Sequence, residues 1–128
     1  LVNNLSVTFF LMDILNSSEW TDKPQFDLIV SNPPYVTQGE KQHMQPNVLN
    51  YEPASALFVN DDDPLVFYRN ILGFAGDHLK PGGKVYFEIN QQFGQQMTQL
   101  LNHKGFQNIE LRQDLSGNDR MISAQKPI

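Results

Sequence analysis

Cysteine is absent from the 128 residues. Disulfides and thiolate metal sites are thereby excluded, and a reducing compartment, the cytoplasm, becomes the default setting. Positive charge is scarce, with nine Lys and Arg against 14 Asp and Glu and a formal net charge of -5. A broad footprint for nucleic acid needs clustered basic residues, so direct nucleic-acid binding is disfavoured. No apolar run approaches the roughly 20 residues that span a bilayer, and the N-terminus has neither the charged nor the apolar region of a signal peptide. An initiating Met is missing too, and the expectation is of a piece of a longer protein. What is present is ordinary: 40% hydrophobic and 18% charged residues, the composition of one folding domain.

The apolar residues fall into an alternating order. Val7 to Met12 is a run closed by Asp13, and Phe26 to Ser31 is a run closed by Asn32 and two prolines; both read as buried parallel strands. Val36 to Asn60 has no clear period and reads as a substrate loop, mobile until a peptide orders it. Asp61, Asp62 and Asp63 ahead of Pro64 mark a helix start. Leu65, Tyr68, Ile71, Leu72, Ala75 and Leu79 then form one helical apolar stripe, read as core. Lys80 to Lys84 (KPGGK) ends that helix and leads into a strand from Val85 to Ile89. A second helix is predicted over Phe93 to Lys104, with Met97, Leu100 and Leu101 inward and Gly105 as its stop. Asn108 to Arg112 and Met121 to Ala124 form a hairpin through Ser116-Gly117-Asn118-Asp119. The class is α/β, a mostly parallel sheet with a C-terminal antiparallel hairpin.

Ligands in such sheets bind outside the carboxyl ends of the strands, where Asp13 and Asn32 fall. The stretch Asn32-Pro33-Pro34-Tyr35 is chemically pointed. Its prolines fix φ near -65° and bias the preceding residues toward extended geometry, so the carbonyl directions are preset. The Asn32 side-chain oxygen and the Pro33 carbonyl are two acceptors that can clasp one NH2 group, and Tyr35 adds a flat face for a planar amide or base. An amide nitrogen is a poor nucleophile because its lone pair is delocalised. Acceptors holding both of its hydrogens favour a tetrahedral nitrogen and free that pair for attack, with the proton leaving afterwards. The plainer reading, a strand terminated by two prolines with Asn32 capping the turn, weighs nearly as much for Asn-Pro-Pro alone.

The longer pattern decides between them. SNPPYV from Ser31, YEPASALF from Tyr51, FYRNIL from Phe67, LKPGGKVYFEI from Leu79 and DLSGNDR from Asp114 run in order over nearly the whole chain. Together they resemble the release factor glutamine methyltransferases, a family with the Rossmann-like S-adenosylmethionine-dependent methyltransferase fold. The resemblance implies S-adenosylmethionine as cofactor, a peptide-chain release factor as partner, and methylation of a glutamine side-chain amide. It places Asn32, Pro33, Pro34 and Tyr35 around that glutamine, with Asn32, Pro33 and Tyr35 catalytic and Asn32 also near the methyl donor. It has Asp13 accepting from the adenine amino group and Ile14 along the adenine face, where family members often carry an aromatic. Asn90 stands where a glycine is usual, and Phe93 where a glutamine is usual. The family's glycine-rich loop and ribose-binding acid have no counterpart here. Residues 1 to 128 therefore correspond to the C-terminal part of the catalytic domain, with the first two strands missing, and the isolated chain is expected to be inactive. An apolar edge at Phe26 to Val30 would then be bare and invite self-association.

Other residues carry weaker signals. Glu52 before Pro53 either lines the substrate loop or braces it. Glu88 ends a strand, and its side chain reads equally as an N-cap, as an acceptor from backbone N–H or as a site residue. Asp114 and Arg120 read as a pair bracing the hairpin. His43, His78 and His103 lie far apart and read as surface residues, and no metal is expected. The rival enzyme class is a nucleic-acid adenine-N6 methyltransferase, whose exocyclic amine would suit the same acceptors after base flipping. The rival outside catalysis is a binding or assembly fragment.

Overall fold

The computed structural model describes residues 3–128. The hydrophobic stripe on the first long helix organises the chain. It lies on helix α3, Val66–His78, after two short helices, α1 (Pro46–Tyr51) and α2 (Ala54–Leu57). Tyr68, Ile71, Leu72 and Ala75 are buried against the sheet. Leu65 is the residue before the first turn, so the helix begins two residues beyond Pro64. The second predicted helix is α4, Gly94–His103, which buries Met97 and Leu101 and stops at Gly105 with φ +81. That left-handed conformation is one glycine adopts without steric cost.

The strands are β1 (Phe26–Ser31), β2 (Val36–Thr37), β3 (Phe58–Val59), β4 (Leu79–Glu88), β5 (Gln107–Gln113) and β6 (Asp119–Gln125). The main sheet has the order β1-β4-β6-β5, and β2 pairs with β3 in a small parallel sheet. β1 runs parallel to β4, whereas β4 with β6 and β5 with β6 are antiparallel. The α/β class and the closing hairpin follow the sequence pattern, and the hairpin strands extend beyond the predicted limits. Asp114 holds the turn: its carboxylate accepts from the Ser116 and Asn118 N–H groups at 2.9 and 3.0 Å and from Arg120 Nε at 3.2 Å.

Alternation along the strands sorts the sheet into two faces. Val85, Phe87, Ile122 and Ala124 point to the face covered by α3 and α4 and are buried. Leu28, Val30, Tyr86, Leu111 and Met121 are exposed. The reading of Phe26 to Ser31 as a buried strand is therefore corrected: only part of its surface is packed and Val30 is 70% exposed, while its place at the sheet edge agrees with the bare edge expected there.

Two further expectations are overturned, and the reading of the loop is filled in. Val7 to Met12 forms no strand, because no strand among the described residues lies beside it to complete a ladder, and Val7, Phe9 and Leu11 are exposed. Val36 to Asn60 is not structureless; it holds β2, a 3-10 turn over Gln38–His43, α1, α2 and β3. Each element is too short to show a period, and proline supplies the start of α1 at Pro46 and the cap of α2 at Pro53. His78 is buried rather than on the surface, its ring stacked on Phe74 at 4.5 Å between centroids.

The KPGGK segment lies inside β4 and does not precede it. Between the pairs Phe26 with Leu79 and Leu28 with Lys84 the register jumps, so Lys80 to Gly83 makes an excursion with Gly82 at φ +78. Lys126 fastens the region, donating from Nζ to the Gly76 and Leu79 carbonyls at 2.7 Å each and so capping the end of α3. A Cβ on Gly83 would stand 2.9 Å from the Asp27 carbonyl of β1 and 2.8 Å from Leu79 carbons. Backbone cannot yield as a side chain can. Gly83→Ala is expected to destabilise the chain by about 1–3 kcal/mol, seen as a lower urea midpoint with an unchanged slope, whereas Gly76→Ala, with open space at its Cβ, leaves the midpoint in place or raises it.

Candidate active site

Parallel pairing sets Ser31 of β1 beside Phe87 of β4. The chain leaving β1 at Asn32 and the chain leaving β4 at Glu88 therefore emerge at the same end of the sheet. Pro33 is buried, Pro34 and Tyr35 are half-buried, and Asn32 is exposed. The Tyr35 hydroxyl donates to Glu88 Oε1 at 2.6 Å, which fixes the ring across the gap. The Tyr68 hydroxyl from α3 donates to the Glu88 carbonyl at 2.7 Å, and the Ile89 N–H donates to the Arg120 carbonyl at 2.8 Å. Glu88 is thus tied to a helix through its backbone while its side chain faces Tyr35. Its carboxylate accepts from the Tyr35 hydroxyl and, among the described residues, not from a backbone N–H, so the capping reading of that side chain does not hold.

Asn32 borders three clefts, and two of them are also lined by Pro33. One, of about 270 Å³, is lined by Asn32, Pro33, Tyr35, Glu52 and Glu88 with apolar residues of α1 and α2. It brings together the predicted substrate residues except Pro34. The other, of about 460 Å³, is lined by Ile14, Asn32, Pro33 and Pro34 with Ile29, Phe67 and Phe74 among its apolar walls. Asp13 lines neither cleft. It is exposed, and its Oδ1 accepts from the Leu15 N–H at 2.9 Å in a local turn. Among the described residues no group of three or more His, Asp or Glu side chains is placed to hold a metal ion, and no helix is long and apolar enough to cross a membrane.

Sequence reasoning missed a polar cluster behind Tyr35. Glu40 Oε2 accepts from the Thr37 N–H and hydroxyl at 2.8 Å each, and from Asn90 Nδ2 at 2.9 Å. Asn90 Nδ2 also donates to the Tyr35 carbonyl at 3.1 Å. The Thr37 to Glu40 spacing is a capping-box signature visible in the sequence; Asn90 stood out in the sequence only as a residue where the resembling family usually has glycine, which does not point to these partners.

Comparison with known proteins identifies the pattern. No protein-family model matches the chain. A release factor glutamine methyltransferase of Bacteroides thetaiotaomicron is 45% identical over 120 residues, covering 94% of this chain and 43% of the relative. One of Flavobacterium psychrophilum is 46% identical over 121 residues, covering 94% and 42%. Other curated relatives of the chain are likewise named release factor glutamine methyltransferases, and some are named bifunctional methyltransferases. The chain spans less than half the length of the first two relatives. Among solved structures, a release factor-specific protein-(glutamine-N5) methyltransferase from Alicyclobacillus acidocaldarius superposes with TM-score 0.50 at 23% identity, over 81% of this chain and 50% of that one. An O-methyltransferase family protein from Burkholderia thailandensis superposes with TM-score 0.53 at 13% identity, over 94% and 36%. The fold is that of the methyltransferases. The sequence resemblance to release factor glutamine methyltransferases and this shared fold agree with the α/β reading.

Burial and the Glu88 carboxylate both disfavour a phenolate at Tyr35 and push its pKa from 10.0 up to about 12, with Arg120 opposing. Tyr68 is raised as well, chiefly by burial. A raised phenol pKa in the folded state stabilises the fold below the unfolded value, and that contribution disappears as pH climbs through the folded value. Unfolding free energy measured in urea is therefore expected to fall between pH 10 and about 12. In Tyr35→Phe the fall is shallower; an identical pH slope in both proteins contradicts the assignment.

Proposed function

We propose that this chain is the C-terminal part of the catalytic domain of a cytoplasmic, S-adenosylmethionine-dependent enzyme that methylates the side-chain amide nitrogen of a glutamine in peptide-chain release factors. The observation that carries the reading is the cleft that Asn32, Pro33, Tyr35, Glu52 and Glu88 share at the carboxyl end of β1. Relatives named for this activity support the substrate class.

Within that cleft each residue has a task. The Asn32 side-chain oxygen and the Pro33 carbonyl accept the two N–H groups of the glutamine amide. Holding both hydrogens out of the amide plane draws the nitrogen toward a tetrahedral shape and localises its lone pair. The Tyr35 ring, anchored through its hydroxyl on Glu88, offers its face to the planar amide and limits its rotation. Glu52 lines the far wall, where its carboxylate accepts from N–H groups of the peptide that carries the glutamine. No base is needed ahead of bond formation, since the surplus proton leaves the product nitrogen for water.

The second cleft fits the cofactor. It is mostly apolar, as an adenine face requires, with one amide at Asn32. Ile14, Asn32, Pro33 and Pro34 would hold S-adenosylmethionine there, and Asp13, which lies outside the cleft with Oδ1 in a local turn, would have to turn toward the adenine amino group; when bound, the cofactor supplies an electrophilic methyl group. Ile14 offers a smaller surface than an aromatic residue and weakens that contact. The open edge of β1, with Leu28 and Val30 exposed, is where the remainder of the catalytic domain pairs in the full-length protein, or a second copy when the chain is alone.

Two measurements test the reading. In the full-length enzyme, Asn32→Ala removes one acceptor and is expected to lower methyl transfer to release factor on the order of 10²-fold, with cofactor affinity less affected; unchanged turnover, or transfer to DNA adenine instead, refutes it. With the chain alone, calorimetric titration of S-adenosylmethionine is expected to show weak binding and light scattering to show association beyond a monomer. Tight stoichiometric binding by a monomer is the opposite result.

A further inference from the structure

Among the described residues Asn90 is one of two buried polar residues, at 4% exposure, and nothing in the substrate clasp uses it. Its carboxamide is fully engaged. Oδ1 accepts from the Gln92 N–H at 2.9 Å, while Nδ2 donates to the Tyr35 carbonyl at 3.1 Å and to Glu40 Oε2 at 2.9 Å. Turned over, the amide would set its oxygen against two acceptors and its NH2 against a donor, so only one orientation satisfies the site. Glu40 completes the unit. Its carboxylate collects four neutral donors, from the Thr37 N–H, the Thr37 hydroxyl, Asn90 and Gln92 Nε2 at 3.0 Å. Hydrogen bonds to a carboxylate are stronger than those between neutral groups, and burial strengthens them further.

We propose that Asn90 is a positioning residue that locks the Tyr35–Glu40 arm to the end of β4 and so holds the substrate clasp in register. Tyr35 is then held at both ends by neighbouring positions on one strand tip, its hydroxyl by Glu88 and its carbonyl by Asn90. With two anchors about one residue, the ring cannot slide without breaking a part-buried hydrogen bond. The same contact occupies the Tyr35 carbonyl, which is thereby withdrawn as a competing acceptor for the glutamine NH2 and leaves the pair at Asn32 and Pro33. A Cβ-only side chain at position 90 lacks the donors for both tasks. The inference rests on the glutamine-methylation reading for its catalytic consequence but not for its structural one.

The test uses Asn90→Asp, which keeps the acceptor for Gln92, removes both donors and sets a second carboxylate against Glu40. Hydrogen exchange on this chain is expected to show the Thr37 amide, which is bonded to Glu40, exchanging about tenfold faster, while amides of the β4–β6 ladder keep their protection. In the full-length enzyme kcat for release factor methylation is expected to fall about tenfold, with KM for S-adenosylmethionine unchanged. Equal loss of protection across the ladder in both Asn90→Asp and the uncharged Asn90→Ala makes Asn90 a residue of general stability and overturns the proposal. So does a loosened arm with unchanged kcat, or an arm whose exchange does not change. Should Asn32→Ala retain full turnover, the methylation reading fails, and the exchange comparison still decides whether the arm is locked.

Discussion

Parallel pairing between β1 and β4 is the constraint on which the remainder depends. Because Ser31 lies opposite Phe87, the rigid Asn-Pro-Pro-Tyr segment and the Glu88–Asn90 tip leave the sheet side by side. A shift of one residue would turn Phe87 out of the core and Glu88 into it, so the hydrophobic interior enforces the register that the polar contacts use. The register jump at Lys80 to Gly83 belongs to the same device. It takes up extra chain near the start of β4 and leaves Lys84 to Phe87 in step with β1 and Lys84 to Glu88 in step with β6.

The core is one-sided. α3 and α4 cover one face of the sheet, and the apolar residues of the other face stand in solvent. Exposed apolar surface in this arrangement is costly to leave uncovered. The candidate site straddles the boundary, with Pro33 in the packed half and Asn32 at the open one. Its geometry is held from the packed side, by Tyr68 through Glu88 and by Asn90 through Tyr35.

Much of this was readable from the residues alone, for identifiable reasons. The 3.6 period of Leu65 to Leu79 predicts α3 because burial on one helical face is all that the pattern needs. Phe26 to Ser31 has the observed bounds because the prolines cannot extend the ladder. The same logic fails for Val7 to Met12, since an apolar run becomes a strand only where a neighbour supplies hydrogen bonds. It fails for His78, whose burial comes from stacking on Phe74 and not from any ligand spacing. Asn32 to Tyr35 could be picked out because the chemistry is contiguous. The clamp could not, since Asn90 meets Glu40 and Tyr35 across separations of 50 and 55 residues, and a lone asparagine at a strand end has no local pattern.

The strand order β1-β4-β6-β5 places the last strand in sequence between two that precede it. Its consequence is for the order of folding. As the chain is synthesised from its N-terminus, β4 and β5 both emerge with a bare edge, and the sheet cannot close until β6 arrives to fill the middle. Lys126, immediately beyond β6, caps α3 only at that moment. Assembly of this half of the sheet is therefore a late, non-local event in which the β5–β6 hairpin docks as a unit, and until it docks the unpaired edges are open to other chains.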